Sequence, residues 1–189
     1  MQVTVLSEKI TRIQSEILVL GYFQDVRPIT GYAGEVDWFT NGSLSDLIRQ
    51  NKINGTLGEA TLLATSKVLT PKVLLIGLGQ KKDYNHKILQ QLSSHVIEIL
   101  SRLKIQEFTA ELWGQEECGL DLIGSLDVFL QGCLSGYSLQ FPNPTPRAFN
   151  LLTHQTQRVN EMTHRLCSYG QIQAIPSTHT DRLHIPSRG

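Results

Sequence analysis

The chain has 189 residues, of which 40% are hydrophobic and only 18% charged, enough apolar content for one domain with a real core. Lysine plus arginine equals aspartate plus glutamate at 17 each, so net charge gives no argument for a nucleic-acid or membrane partner. Cys118, Cys133 and Cys167 are odd in number, far apart and in no C-x-x-C pattern, which excludes a disulfide framework and fits reduced thiols in the cytoplasm.

The start, Met1-Gln-Val-Thr-Val-Leu6, has no basic segment leading into a long apolar stretch, so no signal peptide is expected. No apolar run approaches the roughly 20 residues that span a bilayer. Residues 3–6 alternate and predict an edge strand. Residues 17–23 are a continuous β-branched and aliphatic run, as in a strand buried on both faces. Residues 31–40 predict a short helix with Ala33, Val36 and Trp38 or Phe39 on one face, broken at Asn41-Gly42. Ser43-Leu-Ser-Asp46 reads as a capping box with Asp in place of Glu, opening a helix to about Gln50.

Residues 60–65 predict a strand, 67–71 a turn, and 73–76 a buried strand that stops at Gly77-Leu-Gly79. So short a turn makes this pair antiparallel. Asp83 or Asn85 caps the next helix, which runs to about Leu103 with the most regular apolar stripe of the chain. A strand at 108–112 and a helix at 120–139 follow. Long helices alternating with buried strands predict an α/β fold, a three-layer α/β/α sandwich on a mixed, mostly parallel sheet.

Phe141-Pro-Asn-Pro-Thr-Pro146 changes the character of the chain. Three prolines in five residues predict a stiff linker. The expected division is therefore a domain at 1–141 and a linker with a partly flexible extension at 142–189, within which 149–165 forms one more strand or a helix. On this division the extension is dispensable for folding. It carries five arginines against two acids, while residues 1–141 carry 12 basic and 15 acidic groups.

Three stretches, Ile17 to Phe23, Asn54-Gly-Thr-Leu-Gly-Glu59 running into an aliphatic strand, and Lys72-Val-Leu-Leu-Ile-Gly-Leu-Gly-Gln-Lys-Lys82, resemble the N-terminal domain of the leucyl aminopeptidase family. Gly132-Cys-Leu-Ser-Gly-Tyr-Ser-Leu-Gln-Phe141 resembles the end of that domain's last helix. The resemblance covers residues 1–141 and departs at Ser15-Glu16, where the family has an Asp. It implies a fold similar to the macro domains that bind ADP-ribose. In the family this domain helps to build a hexamer and contributes to DNA binding in some bacterial members.

The catalytic half of that family holds two metals with a lysine and several carboxylates. Beyond Phe141 this sequence offers only Glu161 and Asp181, so neither catalytic residues nor metal ligands are assigned and no cofactor is expected. The resemblance then implies a non-catalytic protein-interaction, oligomerisation or regulatory module. Its expected partners are a second copy of the chain or another protein, such as a full-length aminopeptidase, and not nucleic acid or membrane. Two alternatives stand beside it: a macro-type binder of ADP-ribose or a nucleotide, and the N-terminal part of a truncated or split metalloaminopeptidase. For the binder, Gly77, Gly79, Lys81 and Lys82 are the candidate phosphate site, a turn after a buried strand with two lysines beside it. The histidines show no zinc spacing, Glu116-Glu117-Cys118 reads as a loop before a helix, and Trp38 and Trp113 read as core or interface anchors. A final helix apolar on several sides, through Leu126, Val128, Phe129, Leu130, Leu134 and Tyr137, needs cover from the extension or from a second subunit, for which a two-fold dimer is the simplest form.

Overall fold

Ile17–Tyr22 (β2) is apolar without alternation because both of its faces are covered. Ile17 and Val19 face one core, and Leu18, Leu20 and Tyr22 face the other. The computed structural model describes residues 2–138, 148–169 and 173–176. In chain order the remaining elements are β1 (Gln2–Leu6), α1 (Gly31–Phe39), α2 (Ser43–Arg49), β3 (Ala60–Ala64) and β4 (Lys72–Gly77). There follow α3 (His86–Arg102), β5 (Glu107–Glu111), α4 (Leu122–Ser138), β6 (Ala148–Leu152), α5 (Thr156–Cys167) and β7 (Gln173–Pro176). One sheet runs β3-β4-β2-β5-β6-β1-β7, antiparallel only between β3 and β4. Helices α3, α4 and α5 pack on one face, α1 and α2 on the other. The mixed, mostly parallel three-layer sandwich is thus the fold.

The division at residue 141 does not survive. Ala148–Leu152 lies in the interior of the sheet, parallel to β5 on one side and to β1 on the other, over all five of its residues. Phe149 stacks on Phe108 with ring centroids 5.0 Å apart and meets Phe129 at 6.0 Å. The stretch 149–165 supplies both a strand and a helix, and α5 buries Met162 and Leu166 in the larger core. Strand β1 is likewise no edge, since β7 pairs with its other side. The proline-containing segment at 141–146 and residues 177–189 lie outside the described residues.

Local chemistry explains the helix boundaries. Asn85 caps α3, its side chain accepting from the amides of Lys87 (3.0 Å) and Ile88 (3.3 Å). Helix α2 is not held by its own capping box. Asp37, from α1, accepts from the amides of Leu44 (2.8 Å) and Ser45 (3.0 Å) and so joins the two helices. Trp38 leaves the core face expected for it and is 81% exposed, whereas Trp113 is fully buried and donates from its indole to the Val19 carbonyl at 3.0 Å. The apolar circumference of α4 is largely covered within the chain. Gly132 and Gly136 let it approach α3 so closely that a Cβ on Gly132 would lie 2.3 Å from the Gln90 carbonyl oxygen. On its other flank Asp127 binds Arg165 of α5 (2.6 and 2.9 Å) and the Tyr169 hydroxyl (2.8 Å). Among the described residues no helix is long and apolar enough to cross a membrane.

Loss of the residues after Phe141 therefore removes an interior strand. A chain ending at Phe141 exposes the facing edges of β5 and β1 and is expected to aggregate without a cooperative melt, read by circular dichroism and light scattering. In the full chain Phe149→Ala is expected to cost about 3–5 kcal/mol in denaturant unfolding, the range for deleting a buried phenyl ring.

Candidate functional site

The turn at residues 77–82 is committed to internal contacts. The Gly77 amide donates to the Glu59 carbonyl (2.8 Å) and the Gly79 amide to the Gly55 carbonyl (3.0 Å). A Cβ on Gly77 would stand 2.1 Å from the Thr56 carbonyl oxygen, so its glycine serves close approach of the 54–59 loop. That loop is itself held by the Glu59 carboxylate, which accepts from the amides of Asn54 (3.0 Å), Gly55 (2.7 Å) and Thr56 (3.2 Å). Its amide nest thus already contains an anion, one of the chain's own. Lys81 and Lys82 are exposed beside the turn, and the Lys81 amide donates to Asp25 at 2.9 Å.

A second feature lies where an open parallel sheet places its crevice, beyond the carboxyl ends of its strands. A small cleft, open to solvent, is walled by the start of α1, the end of β5 with its following loop, and the β6–α5 connection. Gly31, at φ +63°, opens α1 and leaves room that a side chain would take. A Cβ there would stand 3.1 Å from Glu117 Oε1 and 3.6 Å from Glu111 Oε2, so the two carboxyls converge on this point. Across the cleft His154 stacks on Tyr32 (centroids 3.8 Å apart, 15° between planes) and bonds Glu35 at 2.9 Å. Arg158, on α5, donates to Gln115 (2.9 Å) and to Glu116 (2.8 Å). Glu35 and Glu116 therefore have partners of opposite or switchable charge, while no cation is paired with Glu111 or Glu117 among the described residues.

Burial raises the carboxyl of Glu111 to about 8, and the charge of Glu117 adds to this; the backbone of Gly21 works against it, while Glu116 and Glu35 push the same way. At neutral pH Glu111 is thus predominantly protonated. Burial first, and then the charges of Glu111, Glu35 and Glu116, likewise push the Tyr32 hydroxyl well above its usual range. Only 2% of Tyr32 is exposed, and its hydroxyl has no hydrogen-bond partner among the described residues. No cluster of three potential metal-binding side chains occurs among the described residues. Of the cleft residues the sequence singled out only Glu116 and Glu117, and those as a loop before a helix. The usable signal was an acid closing an apolar strand, Phe108-Thr-Ala-Glu111, followed within six residues by two more.

A raised carboxyl pKa favours folding below the unfolded-state value and costs stability as pH rises from there to the folded value. Glu111→Gln removes that cost. Its stability relative to the parent is expected to increase from pH 5 to pH 8 and then level off, reaching about 1–2 kcal/mol after allowing for solvent at the cleft mouth. Scanning calorimetry across that pH range checks both the sign and the plateau.

The family model for the N-terminal domain of the cytosol aminopeptidase family matches residues 19–137. The chain is similar to a probable cytosol aminopeptidase of a Sulfurihydrogenibium species, 25% identical over 108 residues that make up 57% of this chain and 21% of that protein. The match thus spans about a fifth of that relative's length. Among solved structures, a tomato leucine aminopeptidase variant superposes with a TM-score of 0.64 at 15% identity, covering 88% of this chain and 36% of that one. A Trypanosoma brucei macrodomain in complex with ADP-ribose gives a TM-score of 0.68 at 13% identity, covering 88% and 68%. At such identities the likeness concerns the fold. The chain belongs to the cytosol aminopeptidase family, carrying that family's N-terminal domain on a macrodomain fold.

Proposed function

We propose that the chain is a non-catalytic cytoplasmic interaction module of this family that associates with a second copy of itself. One observation carries the reading: strand β3 closes the sheet with an unprotected edge. Ala60-Thr-Leu-Leu-Ala64 contains neither charge nor proline, it pairs only with β4 among the described residues, and Leu62 is 47% exposed on it. Natural edge strands are normally blunted by lysine, proline or a bulge, because a bare edge is a template for another strand. Two such edges meeting about a two-fold axis make a self-complementary contact of the β-augmentation kind. Leu57 is also exposed, in the loop that leads into β3.

A second reading, binding of a phosphorylated ligand, draws support from the likeness to a macrodomain solved with ADP-ribose and from the exposed Lys81 and Lys82 beside Gly77 and Gly79. Against it stand the occupied amides of that turn and the carboxylates of the neighbouring cleft.

Light scattering at micromolar concentration is expected to give twice the 21.2 kDa chain mass, and Leu62→Lys to give the single mass with an unchanged melt. A monodisperse single-chain species, insensitive to dilution, would count against self-association. ADP-ribose at millimolar concentration is expected to leave the melting temperature unchanged. A rise abolished by the double substitution Lys81→Ala, Lys82→Ala would establish the second reading instead.

A further inference from the structure

We propose that the cleft over β2, β5 and β6 is a binding site for an organic cation, an ammonium or guanidinium group held between Glu111, Glu117 and the hydroxyl of Tyr32. Three observations converge. The carboxyls of Glu111 and Glu117 approach one point beside Gly31, where the missing side chain leaves space. Tyr32, only 2% exposed, lines the same cleft, and its buried hydroxyl has no hydrogen-bond partner among the described residues. Buried hydroxyls are ordinarily bonded, so this one marks an interaction that the described residues do not make. The two basic groups of the cleft are both engaged, His154 with Glu35 and Arg158 with Glu116, so Glu117, and Glu111 once it ionises, have no basic partner among the described residues.

The chemistry of the walls selects the ligand class. A phosphate or carboxylate would face the unpaired carboxylate of Glu117. A metal ion would need at least three converging ligands, and no such group occurs among the described residues. An N–H cation needs only directional acceptors, which two carboxyls and a phenol oxygen provide. The stacked rings of Tyr32 and His154 add an apolar flank for an aliphatic or planar stem. Loading a cation lowers the pKa of the adjacent carboxyl, so at neutral pH binding drives a proton from Glu111 into solvent. The groups around that proton are Glu35, Glu116, Glu117 and Tyr32, with His154 and Arg158 behind them.

Isothermal titration of the full chain with agmatine and with n-butylammonium tests this, with butyrate and inorganic phosphate as the anionic probes. Saturable binding of a cation, with an apparent enthalpy that changes with the ionisation enthalpy of the buffer at pH 7, is the expected result. Glu117→Gln should weaken it by at least about tenfold. Tyr32→Phe should weaken it without lowering the melting temperature, because the hydroxyl it removes bonds none of the described residues. Absence of saturable binding of either cation at millimolar concentration overturns the proposal. So does binding that Glu117→Gln and Tyr32→Phe both leave intact, or tighter binding of phosphate or butyrate than of the cations.

Discussion

The fold depends on laying β6 between β5 and β1. Strand β1 opens the chain yet touches neither β2 nor any other early strand; its neighbours are β6 and β7. The N-terminal strand therefore has no place until residues 148–152 have been set against β5. Each parallel step needs a crossover long enough to return to the same end of the sheet. Helix α4 provides it between β5 and β6, and α5 between β6 and β7. Both helices then cover the face on which Phe149 stacks against Phe108, so strand order and core packing are the same constraint seen twice. The sequence separation between β1 and β6 makes this a pairing of high loop-closure cost.

The elements legible in the sequence were those whose signal is local. The stripe of α3 repeats over 17 residues, β2 and β4 are unbroken apolar runs, and the β3–β4 pair follows from a short turn. Strand β6 has only five residues, with Asn150 among them, and follows directly on a proline-containing stretch. The prolines were read as the end of a domain, whereas the chain re-enters the sheet immediately after them. Asparagine is depleted in strands. Asn150 is accommodated because its amide donates to Thr109 (3.2 Å) and Glu107 (3.1 Å) on β5. The cap of α2 was missed for a related reason: Asp37 lies seven residues away on another helix, outside any capping-box pattern.

Glycines and acids show the same limit at the site. Gly77-Leu-Gly79 and Gly55-Thr-Leu-Gly-Glu59 were legible as motifs, but their shared purpose was not. The glycines let two loops touch backbone to backbone, and Glu59 supplies the anion that gathers the loop amides. Gly132 and Gly136, four residues apart, carry out the corresponding task between α3 and α4. Glu111, Glu117 and Tyr32 are drawn from three separate stretches, and nothing in one dimension shows that they meet. Only Glu111 had a local mark, a carboxyl at the end of a strand that is otherwise largely buried.

The walls of the cleft come from both sides of the boundary at which the family match stops. Tyr32, Glu111 and Glu117 lie within residues 19–137, while His154 and Arg158 lie beyond them. The second group sets the chemistry of the first. His154 fixes the ring of Tyr32 by stacking on it and engages Glu35, and Arg158 neutralises Glu116. Without those two residues four acids would share one crevice, and mutual repulsion would spread them or protonate more than one. With them, the unpaired character is narrowed to Glu111 and Glu117 beside a single unbonded hydroxyl. The family match therefore spans β2 to β5 and the acids, whereas the residues that engage Glu35 and Glu116 come from the segment beyond it, which adds β6 to the interior of the sheet.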